Sequence, residues 1–352
     1  MSRYSAITGW GMCVPEKVLT NADFERMVET SDEWITSRTG IKERQIAGHG
    51  ETASTLAIAA ARQALERAGI EGKDLGLIIV ATVCADYPFP STANLVQHAL
   101  GAQCGAFDMQ AACSGFLYAA STAHQFIANG SVKHALVIGV EVLSRVMDYT
   151  DRATCVLFGD GAGAVVLSAS EEPGGLLGFT IGSDGARPEL LWIPVGGSAE
   201  PITHEALEQR RQYVQMQGSD VFKFATRIMG PAMEEALARA GMTAAEMDLF
   251  IPHQANLRII EAASKRLGVP PEKVFVNIEK YGNTSAAAIP IALCEAVEQG
   301  RVFPGAHLGM VAFGAGLTWA AAVVKWTAPV GPRATEREEA PVTRAEPAGV
   351  GS

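Results

Sequence analysis

The chain has 352 residues, 48% of them hydrophobic and 19% charged, with 36 glycines and a net charge of −10. That length exceeds one ordinary hydrophobic core, so two domains or one large duplicated fold is expected. The negative balance speaks against nucleic acid or an anionic membrane as the main partner.

The first residues, "MSRYSAITGWG", lack the apolar stretch of a signal peptide, and a cytoplasmic location is expected. No run of about eighteen apolar residues occurs, so no membrane span is expected. Six cysteines (13, 84, 104, 113, 155 and 294) never form a C-x-x-C, which argues against structural zinc and a disulfide framework.

Along the chain, "SDEWITSRTG" reads as a short helix with Ser31 as its N-cap and Gly40 beyond its end. Trp34 and Arg38 then lie one turn apart on one face. "QALERAGIEGKDLGLIIVAT", from Gln63, predicts a helix, an acidic turn and a buried strand. "CADYPFPST", from Cys84, is a Pro-interrupted loop whose aromatics suit a partner surface. A helix "ANLVQHALG" follows from Ala93.

Phe107 to Met109 ends a further strand, and from Ser114 the residues Phe116, Leu117, Ala120, Ala123, Phe126 and Ile127 recur at helical spacing. Cys113 therefore sits at a strand-to-helix junction, where free N–H groups and the helix dipole stabilise a thiolate. A buried, inert cysteine is the commoner case.

"GDGAGA" at Gly159 imitates a dinucleotide fingerprint, but the strand-like "AVVLS" follows where a helix would be needed. A glycine hairpin is expected there instead. Residues 183–217 form a polar excursion with several Gly and Pro, and the Pro-, Glu- and Arg-rich tail from Ala328 is expected to be disordered.

The chain repeats itself. "EALARAGMTAAEMDLFIPHQ", from Glu235, matches the block at Gln63, and "ANLRIIEAASKRLG", from Ala255, matches the helix at Ala93. "VAFGAGLTWAAAVV", from Val311, matches "VLFGDGAGAVVL", from Val156. Three blocks in one order imply two copies of an α/β unit joined near Glu171–Gly178, that is, halves of 1–172 and 173–327 before a 328–352 tail.

Aligning the halves sets Cys113 in "AACSGF" against Asn283 in "YGNTSAA", while His253 lies just past the strand "LFIP". In a pseudo-symmetric fold the three would meet between the halves. A thiolate can take an acyl group from a thioester, and an imidazole N–H with an amide N–H can hold an enolate oxygen. A lone histidine is usually a satisfied loop residue, and a lone asparagine is often a helix cap. The trio together makes the case.

Six motifs in one order carry a family resemblance: "TSDEWITSRTGIKER", "AACSGF", "TDRATCVLFGDGAGA", "IPHQANLRII", "YGNTSAAAIP" and "FGAGLTW". They span residues from about 4 to 326, and the chain resembles the 3-oxoacyl-[acyl-carrier-protein] synthase III family. The resemblance implies an α/β, thiolase-like five-layered αβαβα fold, a homodimer and no cofactor beyond the substrates acyl-CoA and malonyl-acyl carrier protein. It implies initiation of fatty-acid synthesis through an acyl-Cys113 intermediate, with His253 and Asn283 acting on the malonyl thioester. The backbone N–H groups of Cys113 and Ala315 would form the acyl oxyanion hole. Trp34, Arg38, Arg152, Phe222, Asn256 and Arg258 would bind coenzyme A. Lys223, Arg258, Lys265 and Arg266 would meet the carrier protein, and Phe89, Leu143, Phe158 and Phe313 would shape the acyl pocket.

A condensing enzyme of secondary metabolism that keeps the same trio is the nearest alternative. A thiolase would carry a second cysteine in a late C-x-G motif, whereas Cys294 lies in the helical "IPIALCEAVEQG". Elongating synthases use two histidines, and plant-type polyketide synthases would show G-F-G-P-G. A non-catalytic, chain-length-setting partner subunit would lack the nucleophile, which is present here.

Overall fold

The computed structural model describes residues 4–329. The first half of the chain forms β1 (Tyr4–Cys13), β2 (Val18–Thr20), α1 (Asn21–Glu25), α2 (Asp32–Thr39), β3 (Glu43–Gln45) and α3 (Ala53–Ala68). Then come β4 (Leu77–Ala81), α4 (Thr92–Ala99), β5 (Gly105–Met109), α5 (Gly115–Ala128), β6 (His134–Glu141) and β7 (Gly161–Ser170). The second half begins with β8 (Gly175–Ser183), β9 (Leu191–Trp192), α6 (His204–Glu208), β10 (Gln215–Met216) and α7 (Gly218–Ala240). It closes with β11 (Leu249–Pro252), α8 (Leu257–Leu267), α9 (Ile278–Tyr281), α10 (Ala288–Glu298), β12 (His307–Gly314) and β13 (Thr318–Lys325).

Nine strands run in the order β11-β12-β13-β8-β1-β7-β6-β4-β5. That order is nearly a palindrome about the β8–β1 boundary. β4 lies parallel to β6, as β11 lies parallel to β12, and β6/β7 and β12/β13 are both antiparallel. β1 and β8 share a single registered pair, Ser5 with Gly175. The strands therefore form two blocks joined at one point.

Helices α3 and α4 cover one block, and α7, with α8 packed on it, covers the other. Between the blocks lie α5 and α10, each touching strands of both. This is the five-layered arrangement. The sequence explains it: α10 is buried along Ala288–Cys294, and a helix apolar on all sides belongs inside. Every residue of β4, "LIIVA", is buried, as a parallel strand covered on both faces requires. Its Leu77, Ile79 and Ala81 face the central helices, while Ile78 and Val80 face α3.

The matched halves are matched in detail. α3 and α7 end at Gly69 and Gly241, with φ of 65° and 69°. The "GDGAGA" segment differs from the expected hairpin: Gly161 to Ala164 are already strand β7, paired with β1 and β6. The physical reason is close approach. A Cβ at Gly163 would stand 2.6 Å from the Pro290 Cβ and 2.8 Å from the Ile291 nitrogen of α10.

The excursion at 183–217 carries β9, α6 and β10, with β9 and β10 paired as a small ribbon. The tail expected to be unstructured lies outside the described residues, except for its first two. Ala328 is buried, and its carbonyl accepts the Trp326 indole N–H at 2.9 Å.

Gly163→Ala should lower stability by about 1–3 kcal/mol through overpacking. Gly105→Ala, where an added Cβ meets nothing, should stay within about 0.5 kcal/mol of wild type. Urea denaturation measures both. Equal stabilities would mean that α10 does not sit on β7 this closely.

Candidate active site

Cys113 occupies a 3-10 turn, Ala112–Ser114, directly before α5. A second such turn, Ser285–Ala287, precedes α10, and the two turns pack together. Each begins on a non-glycine residue in the left-handed region, Ala112 at φ 46° and Ser285 at φ 48°. These two residues are therefore structural counterparts, and each stands three positions before its helix. The expected pairing of Cys113 with Asn283 is displaced. The counterpart of Cys113 is Ala286, and Asn283 precedes its turn as Gln110 precedes the other.

His253 directly follows the buried strand β11. Its backbone N–H donates to Val311 O at 2.8 Å, tying it to β12. The ring is 1% exposed and meets Phe313 edge-on with centroids 5.7 Å apart. Neither ring nitrogen has a hydrogen-bond partner among the described residues. Burial holds its pKa down at about 3, so the imidazole is neutral at ordinary pH.

Asn283 is pinned by its backbone, with its N–H on Leu157 O at 2.9 Å and its carbonyl taking Gly159 N–H at 3.0 Å. Its Oδ1 accepts from Ser285 N–H at 2.9 Å. A backbone N–H can only donate, so the oxygen is fixed on that side and the Nδ2 hydrogens are left for the cavity.

Two spaces meet at the thiol. A cavity of about 420 Å³ is walled by Cys113, Val83, Leu143, Phe158, Ile193 and Val214. A smaller space of about 90 Å³ joins Cys113 to His253, Asn283, Phe222 and Phe313. Phe158 borders both. Ala315 and Gly316 border the larger one beside the thiol. β12 ends hard against Cys113: a Cβ at Gly314 would stand 2.6 Å from the Cys113 nitrogen.

The helix start does not deliver the lowered thiol pKa expected from the sequence. Burial outweighs it and pushes Cys113 up to about 12, with the nearby Ser285 hydroxyl opposing.

Comparison with known proteins decides what this arrangement belongs to. The family model described as 3-oxoacyl-[acyl-carrier-protein (ACP)] synthase III matches residues 107–185, and its C-terminal counterpart matches 237–326. The beta-ketoacyl-[acyl-carrier-protein] synthase III of Roseiflexus sp. (strain RS-1) is 54% identical, over 93% of this chain and 100% of that protein. The chain belongs to this synthase III family. It is an acyl-transferring condensing enzyme. The 3-oxoacyl-[acyl-carrier-protein] synthase III of Aquifex aeolicus VF5 superimposes with a TM-score of 0.85 at 48% identity, covering 92% of this chain and 100% of the other. The priming beta-ketosynthase of the R1128 polyketide pathway gives 0.86 at 37% identity, covering 93% and 98%.

In this synthase III chain the other expected residues fall into place unevenly. The N-cap Ser31 and the end of α2 at Gly40 stand as read from the sequence. Arg38 lies 5.0 Å from the Trp34 ring centroid, and Arg152 lies 5.5 Å from it. Arg258 covers Phe222 at 5.3 Å. Asn256 caps α8 by accepting from Arg258 N–H, and its Nδ2 donates to Arg38 O at 2.9 Å. Its amide is thus engaged within the protein.

Of the expected basic patch, Lys223 faces Asp220 at 3.4 Å, and Arg266 is held by both oxygens of Glu234 at 3.0 Å. Phe313 sits with His253 rather than in the larger cavity. Phe89 is 86% exposed and borders neither space within its own chain.

The sequence reading missed Ser285 and Glu141. Ser285 could have been found as the counterpart of Ala112 once the repeat was set in the correct register. Glu141 could have been found as a carboxylate ending the apolar strand "VIGVE".

Proposed function

We propose that Cys113 is the acyl-accepting nucleophile, and that His253 and Asn283 act on the second substrate. The observation that carries this reading is the thiol's position between two cavities, one apolar and one holding a buried imidazole whose nitrogens have no partner among the described residues. A neutral N–H at His253 and the Nδ2–H of Asn283 suit a developing enolate oxygen, because neither brings a negative charge.

In the first half-reaction the Cys113 sulfur attacks the carbonyl of an acyl-CoA primer, acetyl-CoA by family likeness, and coenzyme A leaves. In the second, malonyl-acyl carrier protein loses CO₂, and its enolate carbon attacks acyl-Cys113. The products are 3-oxoacyl-acyl carrier protein and the free thiol. No step calls for a cofactor. The Cys113 and Ala315 backbone N–H groups would hold the first oxyanion.

Trp34, Arg38, Arg152, Phe222, Asn256 and Arg258 would line the coenzyme A path, and Lys223, Arg258, Lys265 and Arg266 would receive the carrier protein. A second copy of the chain would place its Phe89 in the acyl cavity, with Leu143 and Phe158 as fixed walls. The cytoplasm is the proposed compartment, and no described helix is long and apolar enough to cross a membrane. Priming of a polyketide is the second reading, supported by the likeness to the R1128 enzyme. Assaying a panel of acyl-CoA primers with malonyl-carrier protein separates the two.

The half-reactions should come apart by mutation. Asn283→Asp should still be acetylated at Cys113 by acetyl-CoA at nearly the wild-type rate. Its release of CO₂ from malonyl-carrier protein should fall by about 10²–10³-fold or more, since an oxyanion donor is replaced by a like charge. Cys113→Ala should form no acyl-enzyme yet keep residual decarboxylation. Normal CO₂ release by Asn283→Asp would remove it from the role.

The two substrates should separate as well. Trp34→Ala should raise KM for acetyl-CoA about tenfold, the scale of a partly desolvated cation–π contact. Lys265→Glu should raise KM for malonyl-carrier protein and leave that for acetyl-CoA alone. Identical shifts in both constants for both variants would sink the two-path assignment. For the dimer, Phe89→Ala should change primer-length preference. A monomer in sedimentation, or an unchanged preference, counts against it.

A further inference from the structure

Behind the nucleophile stands a buried carboxylate that the half-reactions above leave unused. Glu141 ends β6 and is fully buried. Its Oε1 accepts the Ser285 hydroxyl at 3.1 Å. Its Oε2 accepts Val83 N–H at 3.1 Å and the Thr82 hydroxyl at 3.4 Å. Ser285 in turn borders the same cavity as Cys113, and the turns that carry the two residues pack together. Hydroxyl and carboxylate therefore form a hydrogen-bonded chain that leads from the cavity wall beside the thiol into the protein interior.

The elements around it hold this chain in line. Ser285 opens the 3-10 turn before α10 in a left-handed conformation. That turn packs on β6, which carries Glu141, and on the turn that carries Cys113. We propose that Ser285 and Glu141 are a proton relay for Cys113, with Glu141 storing the thiol proton while the cysteine is acylated.

The protons balance. Ser285 Oγ takes the proton from Cys113 Sγ and passes its own hydroxyl proton to Glu141. The thiolate then attacks the thioester carbonyl, an S–C bond to the acyl group forms, and the bond from that carbon to the coenzyme A sulfur breaks. Coenzyme A leaves as a thiolate and takes a proton from solvent. In condensation the acyl–Cys113 bond breaks. Glu141 then returns its proton through Ser285 to the departing sulfur, and the free thiol is restored.

The chemistry gives Glu141 this task by comparison with the groups around it. His253 borders the smaller space beside Cys113, but burial keeps its pKa at about 3, too low to draw a proton from a thiol. Glu141 is raised by burial to about 7, opposed by its hydrogen-bond donors. The other titratable groups near it are Cys84, which acts on the carboxyl, and Asp160, which acts on Cys84. Burial raises both of those as well.

This relay rests on Cys113 being the nucleophile. The test is single-turnover acetylation of the full-length enzyme by saturating acetyl-CoA, read by intact-protein mass from pH 5.5 to 9. Wild type should show a rate that levels off above an inflection near pH 7. Glu141→Gln should acetylate about 10²-fold more slowly at pH 7, the scale of a lost general base. Its rate should climb tenfold per pH unit with no inflection, at unchanged half-saturation by acetyl-CoA. Ser285→Ala, which cuts the chain while leaving the Glu141 carboxyl in place with its Thr82 and Val83 donors, should show the same profile. It decides the matter if Glu141→Gln fails to fold.

A folded variant that is slow but keeps the inflection makes Glu141 only structural and overturns the relay, as does a variant at the wild-type rate. Wild type that takes up no acetyl group overturns the assignment of Cys113 itself, and the relay with it.

Discussion

Everything in the site depends on two buried helix starts meeting at one point. The turns before α5 and α10 pack together between the strand blocks, each entered through a residue with positive φ. Such a conformation costs an ordinary residue about 1–2 kcal/mol, so the surroundings must over-determine it. They do so by close approach. A Cβ at Gly139 of β6 would collide with the Ala286 carbonyl, and one at Gly314 of β12 with the Cys113 nitrogen. β6 and β12 are corresponding strands of the two halves, and Gly139 and Gly314 each lie within the last three residues of their strand. Each lets a strand run against the helix start of one copy. A side chain at either would push the turns apart and separate the thiol, the Ser285 hydroxyl and the Glu141 carboxylate.

Burial at that point sets the electrostatics, and it acts in one sense on every ionisable group. It raises Cys113 and Glu141 and lowers His253, in each case favouring the neutral form. Magnitudes decide the competition at the thiol. A rise from 9.0 to about 12 corresponds to about 4 kcal/mol against the thiolate. A helix start is worth about 0.3–1 kcal/mol, so it cannot win alone. Each preorganised oxyanion donor is worth about 3–4 kcal/mol once charge has moved to the substrate oxygen. A resting site that is neutral and dry therefore suits donors that act only when negative charge arrives on a bound thioester.

Much of this was legible in the sequence because it is written twice. The strand–helix alternation, the Ala-Gly helix ends and the apolar strands recur in order, and the fold is the one that buries both copies against shared helices. Cys113, His253 and Asn283 were legible as residue types at element ends. The register between Cys113 and Asn283 was not, because it depends on backbone dihedrals: Ala112 and Ser285 are equivalent in φ while sharing no side-chain chemistry. The "GDGAGA" segment misled for a related reason. Glycines in a turn and glycines in a strand crowded by a helix look alike in sequence, and only the approach of α10 to β7 tells them apart. Glu141 was hidden as the last residue of a strand, where a carboxylate ordinarily faces water.

Charge presents the opposite lesson, since the whole-chain balance of −10 says little about how anionic substrates would be received. Screening confines surface fields to about 8 Å at physiological ionic strength, so each patch acts for itself. Around Trp34, the guanidiniums of Arg38 and Arg152 lie close enough to the ring to share its face with a planar ligand. On the α7–α8 face, Lys223 and Arg266 are already matched by Asp220 and Glu234. All four side chains are well exposed, and such pairs are worth only about 0–1 kcal/mol. A partner carboxylate can therefore replace Asp220 or Glu234 at little cost, while both remain to repel any partner that does not present its charges at those two points. If this face receives the carrier protein as proposed, the acidic neighbours would sharpen selection for an acidic partner without abolishing its attraction.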